Sequence, residues 1–551
     1  MTVIAVNKFS GVSPMTPPRY LGNNTAQVAQ NCPVWLGSLQ PIKGISNTGL
    51  TPDPLTKGGD LTSIYRFGQD RTDEKEYWFH WTNDVDVVQG FIAADVTERT
   101  YFTGDGNPKV TNNSLSLTGG GTDYPINSYD IGVPKPIPAP TTTLSGSADE
   151  NTTAETRVYT YTYVNSWGEE STPYAAVLPA TMAPSTEDVY PGQSVVVTMP
   201  TASITNFNVT KKRIYRSATG TANTSFFFVA EVDLSTETYT DSLEGDSLNE
   251  VLPSLTWVQP PTSLKGLIGL SNGIMVGFSG NDIYFSEPFR PFAWPIQYIQ
   301  TVGYPVVGLG VIDTTVVVLT EGRPYFIQGS HPDSMVMIEA DVNQACVSKR
   351  SIVSMGGYVF YASPDGLVGL SPGGSTVVTE SMFDKYTWQT LSPEGLLGCM
   401  YENKYVGFFD TDSGDGGFVY DMVAKTWNFH SVYAVGAYND LKNDALYVIN
   451  EDDKTLYKWD TGAALSYTWK SKKFTFPEPK SFSCYRVQAE AYPVTMKIYR
   501  DSTSIVNISV TDDGFRRLPA GMGTDWEFQL EGDKEVYNVQ IAQSPMEINA
   551  G

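Results

Sequence analysis

Several stretches of the 551-residue chain carry residue types that do chemistry in other proteins. Gly369-Leu370-Ser371-Pro372-Gly373 matches the G-x-S-x-G elbow of serine hydrolases. That elbow needs a strand-to-helix turn and a backbone N–H after the serine, aimed into an oxyanion hole. Pro372 has no N–H, and the surrounding residues predict a β-turn with no helix behind it. Asp410-Thr411-Asp412-Ser413-Gly414-Asp415-Gly416 has the acid spacing of a calcium loop. It lacks the later bidentate Glu and the flanking helices, so it predicts a polar hairpin tip. His80, His331 and His430 are the only histidines, and none has a partner at metal-ligand spacing. Glu169-Glu170 and Asp452-Asp453 are adjacent carboxylates. Neighbouring strand residues point to opposite faces, so adjacency does not make an acid–base dyad. No catalytic, cofactor-binding or metal-binding residue is expected, and the chain is expected not to be an enzyme.

Composition narrows the partners. Lys and Arg number 36 against 60 Asp and Glu, a formal net charge of −24. No basic stripe for gripping a phosphate backbone is expected. Charged residues make up 17% of the chain, against a usual share of about 25%. Aromatic residues, Thr, Val and Gly are abundant, which favours strands and tight turns. Cys32, Cys346, Cys399 and Cys484 are widely spaced with no C-x-x-C, so they predict buried free thiols made in a reducing compartment. No apolar run reaches the length of a membrane-spanning helix, and the N-terminus lacks the pattern of a signal peptide.

The elements that would position these residues are strands. Ile274–Phe278 with Ile283–Ser286, and Val316–Leu319 with Pro324–Ile327, are apolar runs joined by small-residue turns. Similar pairs follow: Tyr358–Tyr361 with Gly366–Leu370, Lys404–Phe409 with Gly417–Asp421, and Ala445–Ile449 with Thr455–Trp459. An earlier set, Tyr77–Trp81 and Val85–Val88 flanking a Thr82-Asn83-Asp84 turn, then Tyr101–Gly106, predicts one more unit. Repeated hairpins about 40 residues apart predict a β-propeller of about six blades. A short helix is expected at Ser381–Trp388. The tract 133–140 is a stiff Pro-rich boundary, after which 137–253 predicts an inserted immunoglobulin- or fibronectin-like sandwich. Within it, alternation places Tyr159, Tyr161 and Tyr163 on one face. Residues 463–551 alternate cleanly and predict a C-terminal β-sandwich. The expected all-β order is therefore 1–59 as N-terminal arm, 60–136 as first blade and linker, the insert at 137–253, further blades at 254–462, and the sandwich at 463–551. The arm reads either as an extended segment packing on a folded body or a neighbouring subunit, or as a loop-rich start to the first domain.

A set of segments in fixed order resembles one family. Thr162-Tyr163-Val164-Asn165-Ser166-Trp167-Gly168-Glu169-Glu170 is similar to a segment of bacteriophage tail nozzle (tail tubular) proteins. So are Arg213–Ser217, Phe285–Pro295, Cys346–Val353, Tyr361–Leu367 and Phe515–Pro519. The resemblance implies a virion structural subunit of a short-tailed phage, made in the host cytoplasm and assembled into a homohexameric ring around a channel. It implies contacts with other tail proteins, such as a portal-proximal adaptor ring and tail fibres, and passage of double-stranded DNA without specific binding. Six copies at −24 each would give a channel wall that repels phosphate and lets DNA slide. The alternative is a carbohydrate-binding or receptor-engaging tail module, using exposed aromatics on the inserted or C-terminal sandwich.

Overall fold

The computed structural model describes residues 3–49, 55–68, 77–92, 95–174, 185–200, 204–217, 225–248, 250–451, 453 and 455–549. It is all-β, with a few single-turn helices. The chain forms two compact units. One comprises Met1–Asn83, Val317–Phe326 and Glu339–Gly551, and the other Asp84–Val316 and Ile327–Ile338.

In the second unit, antiparallel four-stranded sheets run Asp86–Gln89, Thr100–Thr103, Lys109–Thr111, Tyr129–Asp130, and Lys265–Gly269, Met275–Ser279, Asp282–Phe285, Gln300–Thr301. Val306–Ile312, Thr315–Thr320, Tyr325–Gln328 and Val336–Glu339 form a further four-stranded sheet. The first strands of these sheets are neighbours in turn: Asp86–Gln89 lies against Lys265–Gly269, and that strand against Val306–Ile312. Tyr101, Val110, Leu264, Leu267, Met275 and Trp294 fill the space between sheets.

The insert pairs Thr141–Gly146, Gln193–Thr198 and Thr238–Asp241 in one sheet. Ser185–Val189, Glu155–Asn165, Val209–Ser217 and Phe226–Asp233 form the other. Tyr159, Tyr161 and Tyr163 point together into the core, where they meet Val195, Val197 and Ile214. Alternating apolar residues on two facing strands produce this shared interior.

The first unit repeats the same theme. Val353–Met355, Tyr358–Ala362, Leu367–Ser371 and Gly374–Val377 form one sheet. Leu397–Tyr401, Lys404–Thr411, Gly414–Asp421 and Thr426–His430 form the next four strands. Gly436–Asp440, Ala445–Ile449 and Leu456–Lys458 take Ser46–Asn47 as a fourth strand. Here too the first strands adjoin in series: Val353–Met355, Leu397–Tyr401, Gly436–Asp440 and Ser63–Phe67.

The N-terminal segment is woven into this unit. Ile4–Val6 pairs with Val536–Ala542, beside Cys484–Ala489. Val28–Gln30 lies between Thr426–His430, parallel, and Tyr467–Lys470, antiparallel. It thereby joins the 397–430 strands to Gly523–Gly532, Val494–Arg500 and Thr503–Val510 in a single ten-stranded sheet. Phe9 is fully buried, with its ring edge-on to Trp469 at 4.9 Å.

Two expectations are corrected. Tyr77–Trp81 and the strand at Asp86–Gln89 are not a hairpin: the former pairs with Ser63–Phe67, the latter with Thr100–Thr103. A short polar turn reads alike whether the chain reverses or leaves for another sheet. The helix expected at Ser381–Trp388 is only Lys385–Gln389, because Asp384 accepts hydrogen bonds from the N–H groups of Tyr386 and Thr387 and so sets the start. Of the strands after residue 463, one set continues through Val28–Gln30 into the 397–430 strands and the other pairs with Ile4–Val6.

Candidate functional site

The residues with chemical potential fall into two groups, those locked into structural roles and those brought together at an open pocket. The Trp167–Glu170 corner belongs to the first. Asn165 ends its strand and organises the turn. Its Oδ1 accepts from the N–H groups of Trp167 (3.0 Å) and Glu169 (2.9 Å), and its Nδ2 donates to Glu169 Oε2 at 2.7 Å. Gly168 has φ +80°, a conformation that a side chain would strain. Both carboxylates are buried, and they reach different partners. Glu169 accepts from Arg99 Nη1 at 3.1 Å, and Arg99 also holds Asp95 at 2.9 Å. Glu170 accepts from the hydroxyls of Thr162 and Tyr215, both at 2.7 Å, and from Arg213 Nη1 at 2.9 Å. Burial pushes the Glu169 carboxyl up, against the pull of Asn165 and Arg99. Every oxygen is committed to a partner within the fold, so the pair acts as a clamp between strands.

The other sequence candidates also have structural places. Ser371 ends its strand and donates to Gly374 O at 3.1 Å, in a β-hairpin. Residues 410–416 are the tip of a hairpin in which Thr411 pairs with Gly414. His80 is buried, with Nδ1 at 3.0 Å from Trp78 O and Nε2 accepting from Lys57 N–H at 3.1 Å. His331 accepts from Asp333 N–H at 3.3 Å. His430 is buried against Trp459 and Phe408, with Nδ1 at 3.0 Å from Val432 O. The three histidines do not meet, and no group of three potential metal ligands occurs among the described residues. Asp452 lies outside the described residues, and Asp453 accepts from Thr455 N–H at 3.0 Å. The four cysteines are free and buried, and burial pushes the Cys346 and Cys399 thiols up to about 12.

The open pocket is one that sequence reading missed. It has a volume of about 250 Å³ and lies within the first unit. Its floor is Val406 and Val419, cross-strand partners on one face of the 397–430 strands. Trp459 and Tyr401 form walls, and Glu402, Lys404, Lys43 and Asp460 surround the mouth. The N-terminal segment closes one side, held by Leu39 pairing with Val536 and by Ile42 N–H donating to Asn31 O at 2.8 Å. Lys404 Nζ lies 3.2 Å from Glu402 Oε2, and Lys43 N–H donates to Asp460 Oδ1 at 3.0 Å. Shelter by the pocket walls raises the Asp460 carboxyl, and the Glu402 charge adds to the rise. The Tyr401 phenol is pushed up to about 12 by burial and then by the charges of Glu402, Asp444 and Asp460. Glu402 and Asp460 are 58 positions apart, so no local spacing signals their meeting. The one local signal was Glu402-Asn403, a two-residue turn between Tyr401 and Lys404 with both residues at positive φ.

No family model matches the chain, and no curated protein matches it. Solved structures with detectable likeness include the exo-β-1,3-galactanase of Phanerochaete chrysosporium with β-1,3-galactotriose. It is 10% identical, covers 63% of this chain and 100% of its own, and has a TM-score of 0.23. A glycoside hydrolase is 9% identical over 60% of this chain and 94% of its own, with TM-score 0.20. Dipeptidyl peptidase 4 of Porphyromonas gingivalis is 10% identical over 82% of this chain and 58% of its own, with TM-score 0.22. At these scores the likenesses carry no argument about what this chain does. The expectation that the chain is not an enzyme is nonetheless corrected. The structures named above are of a galactanase, a glycoside hydrolase and a peptidase, and the exclusion of an enzyme is withdrawn on that ground alone.

Proposed function

We propose that the chain is a structural subunit of a phage tail nozzle, assembling into an acidic ring through which genomic DNA is retained and ejected. The observation that carries this reading is where most of the nozzle-like segments lie: residues of four of them make buried joints of the fold, while Phe515 and Phe289 are exposed. Trp167–Glu170 is the clamp described above. In the Phe285–Pro295 segment, Ser286 Oγ accepts from Met275 N–H at 2.9 Å, and buried Trp294 donates to Pro291 O at 2.9 Å. Arg350, in Cys346–Val353, donates to Thr62 O at 3.0 Å and to Val435 O. In Tyr361–Leu367, Tyr361 Oη donates to Gln344 O at 2.8 Å. Resemblance centred on such joints is resemblance in how the subunit is built. Two series of neighbouring first strands support a propeller body, and the two sheets of the insert around one core support a sandwich. The woven N-terminus suits a subunit that transmits force. Single-particle imaging of the purified chain is expected to give closed rings with a bore that passes a DNA duplex. Monomers at all concentrations, or rings with a basic or closed centre, overturn the reading.

A second reading, a carbohydrate-engaging module, is favoured by the pocket between Tyr401 and Trp459. Tyr159, Tyr161 and Tyr163 are core residues, which removes them from any glycan-binding surface on the insert. A glycan array probed with the full chain, followed by assay for released reducing ends on any ligand found, tests it. Absence of binding across the array overturns it.

A further inference from the structure

We infer that the pocket closed by the N-terminal segment is a binding site for a single neutral hexose unit, such as the terminal residue of a glycan. The inference rests on the carbohydrate-engaging reading and adds to it a place and a ligand class.

The size of the pocket sets the first limit. Drug-sized ligands occupy pockets of about 300–1,000 Å³, and this one, at about 250 Å³, suits one ring. The distribution of chemistry sets the second. The floor of Val406 and Val419 and the side walls of Trp459 and Tyr401 offer apolar and aromatic surface. A sugar ring presents C–H groups on one face and hydroxyls around its edge, and this pocket offers the complementary division. Glu402 and Asp460 accept hydrogen bonds from hydroxyls, while Lys43 and Lys404 donate to them. The four charges at the mouth cancel in pairs, so the mouth selects neither an anion nor a cation.

An independent observation lies on the same sheet face. Asn428 is the cross-strand partner of the floor residue Val419. It is fully buried, yet neither its Nδ2 nor its Oδ1 has a hydrogen-bond partner within the chain. Thr426, two residues away and so on the same face, has a buried and equally unpartnered hydroxyl. Buried polar groups without partners are costly, and nearly all find one in protein or ordered water. Neither Asn428 nor Thr426 lines the pocket itself, so a water reaching past Val419 from a bound ligand would have to supply those partners.

The walls are set before a ligand arrives. Backbone hydrogen bonds hold the N-terminal side, including Gly44 N–H to Ala463 O at 2.8 Å and Leu465 N–H to Ile42 O at 2.9 Å. A preformed site avoids much of the ordering cost of binding.

The test is isothermal titration of the full chain with a panel of methyl hexopyranosides and with any glycan found on the array. Wild type is expected to bind at least one hexoside. Glu402→Gln and Asp460→Asn are each expected to weaken binding by about tenfold or more, as loss of a charged hydrogen bond does. Both residues sit at exposed positions, and thermal midpoints like that of wild type confirm that the variants fold. Should one fail to fold, Lys404→Met takes its place, with the same expected weakening. Glu478→Gln, an exposed change outside the pocket, is expected to leave binding unchanged. If a glycan binds and the pocket variants bind it as wild type does, the pocket assignment falls and the carbohydrate reading stands. If neither hexosides nor array glycans bind, both fall.

Discussion

His430 is the residue whose surroundings most change its chemistry. Full burial between Phe408 and Trp459 depresses its pKa from 6.5 to about 3. Between those two values the unfolded chain takes up a proton that the folded chain refuses, so this residue lowers stability as pH falls from about 6.5 towards 3. His430→Gln is expected to flatten the dependence of the thermal midpoint on pH across that window, and an unchanged slope from pH 6.5 to 4 would count against it. The Arg99–Glu169 pair makes a second prediction at this scale. Arg99→Met leaves Glu169 buried without its cation and is expected to cost about 3–5 kcal/mol in urea unfolding. Adding Glu169→Gln should recover much of that loss, because the charge that was left unpaired is gone. The sequence made it legible that adjacency alone does not pair Glu169 with Glu170. It gave no sign of Arg99, 70 positions away, as the partner of Glu169.

At the scale of elements, the N-terminal strands matter most. Val28–Gln30 has no core of its own, yet it connects Thr426–His430 to Tyr467–Lys470 in the sheet. Phe9→Ala is expected to cost about 3–5 kcal/mol, since it empties a fully buried aromatic site against Trp469. The loss should be seen in unfolding of the first unit. A change smaller than 1 kcal/mol would mean that the segment rests on the unit without supporting it. The hairpins at Met275–Phe285, Tyr358–Ser371 and Lys404–Asp421 were legible because apolar runs bounded by tight turns encode antiparallel pairing locally. The misplaced partner of Tyr77–Trp81 was not, because a turn does not record which strand the chain meets next.

At the scale of the whole molecule, charge is the property the sequence states most directly. With a net charge of −24, the assembled protein is expected to leave the mobility of a DNA duplex unchanged at about 50 mM salt, where phosphate contacts would be strongest. A shift that weakens as salt rises would reveal a basic path and overturn the account of an acidic channel. The sequence by itself determined the all-β class, the repeated hairpins, the buried face of Tyr159, Tyr161 and Tyr163, and the acidity. Each follows from composition or from a period of two residues, and both are local properties of the chain. Only the tertiary structure decided that Val28–Gln30 joins two sets of strands, that Arg99 meets Glu169, and that Glu402 and Asp460 share one pocket with Trp459. These are contacts between residues tens to hundreds of positions apart. They are fixed by which sheets pack together, and no local pattern encodes that.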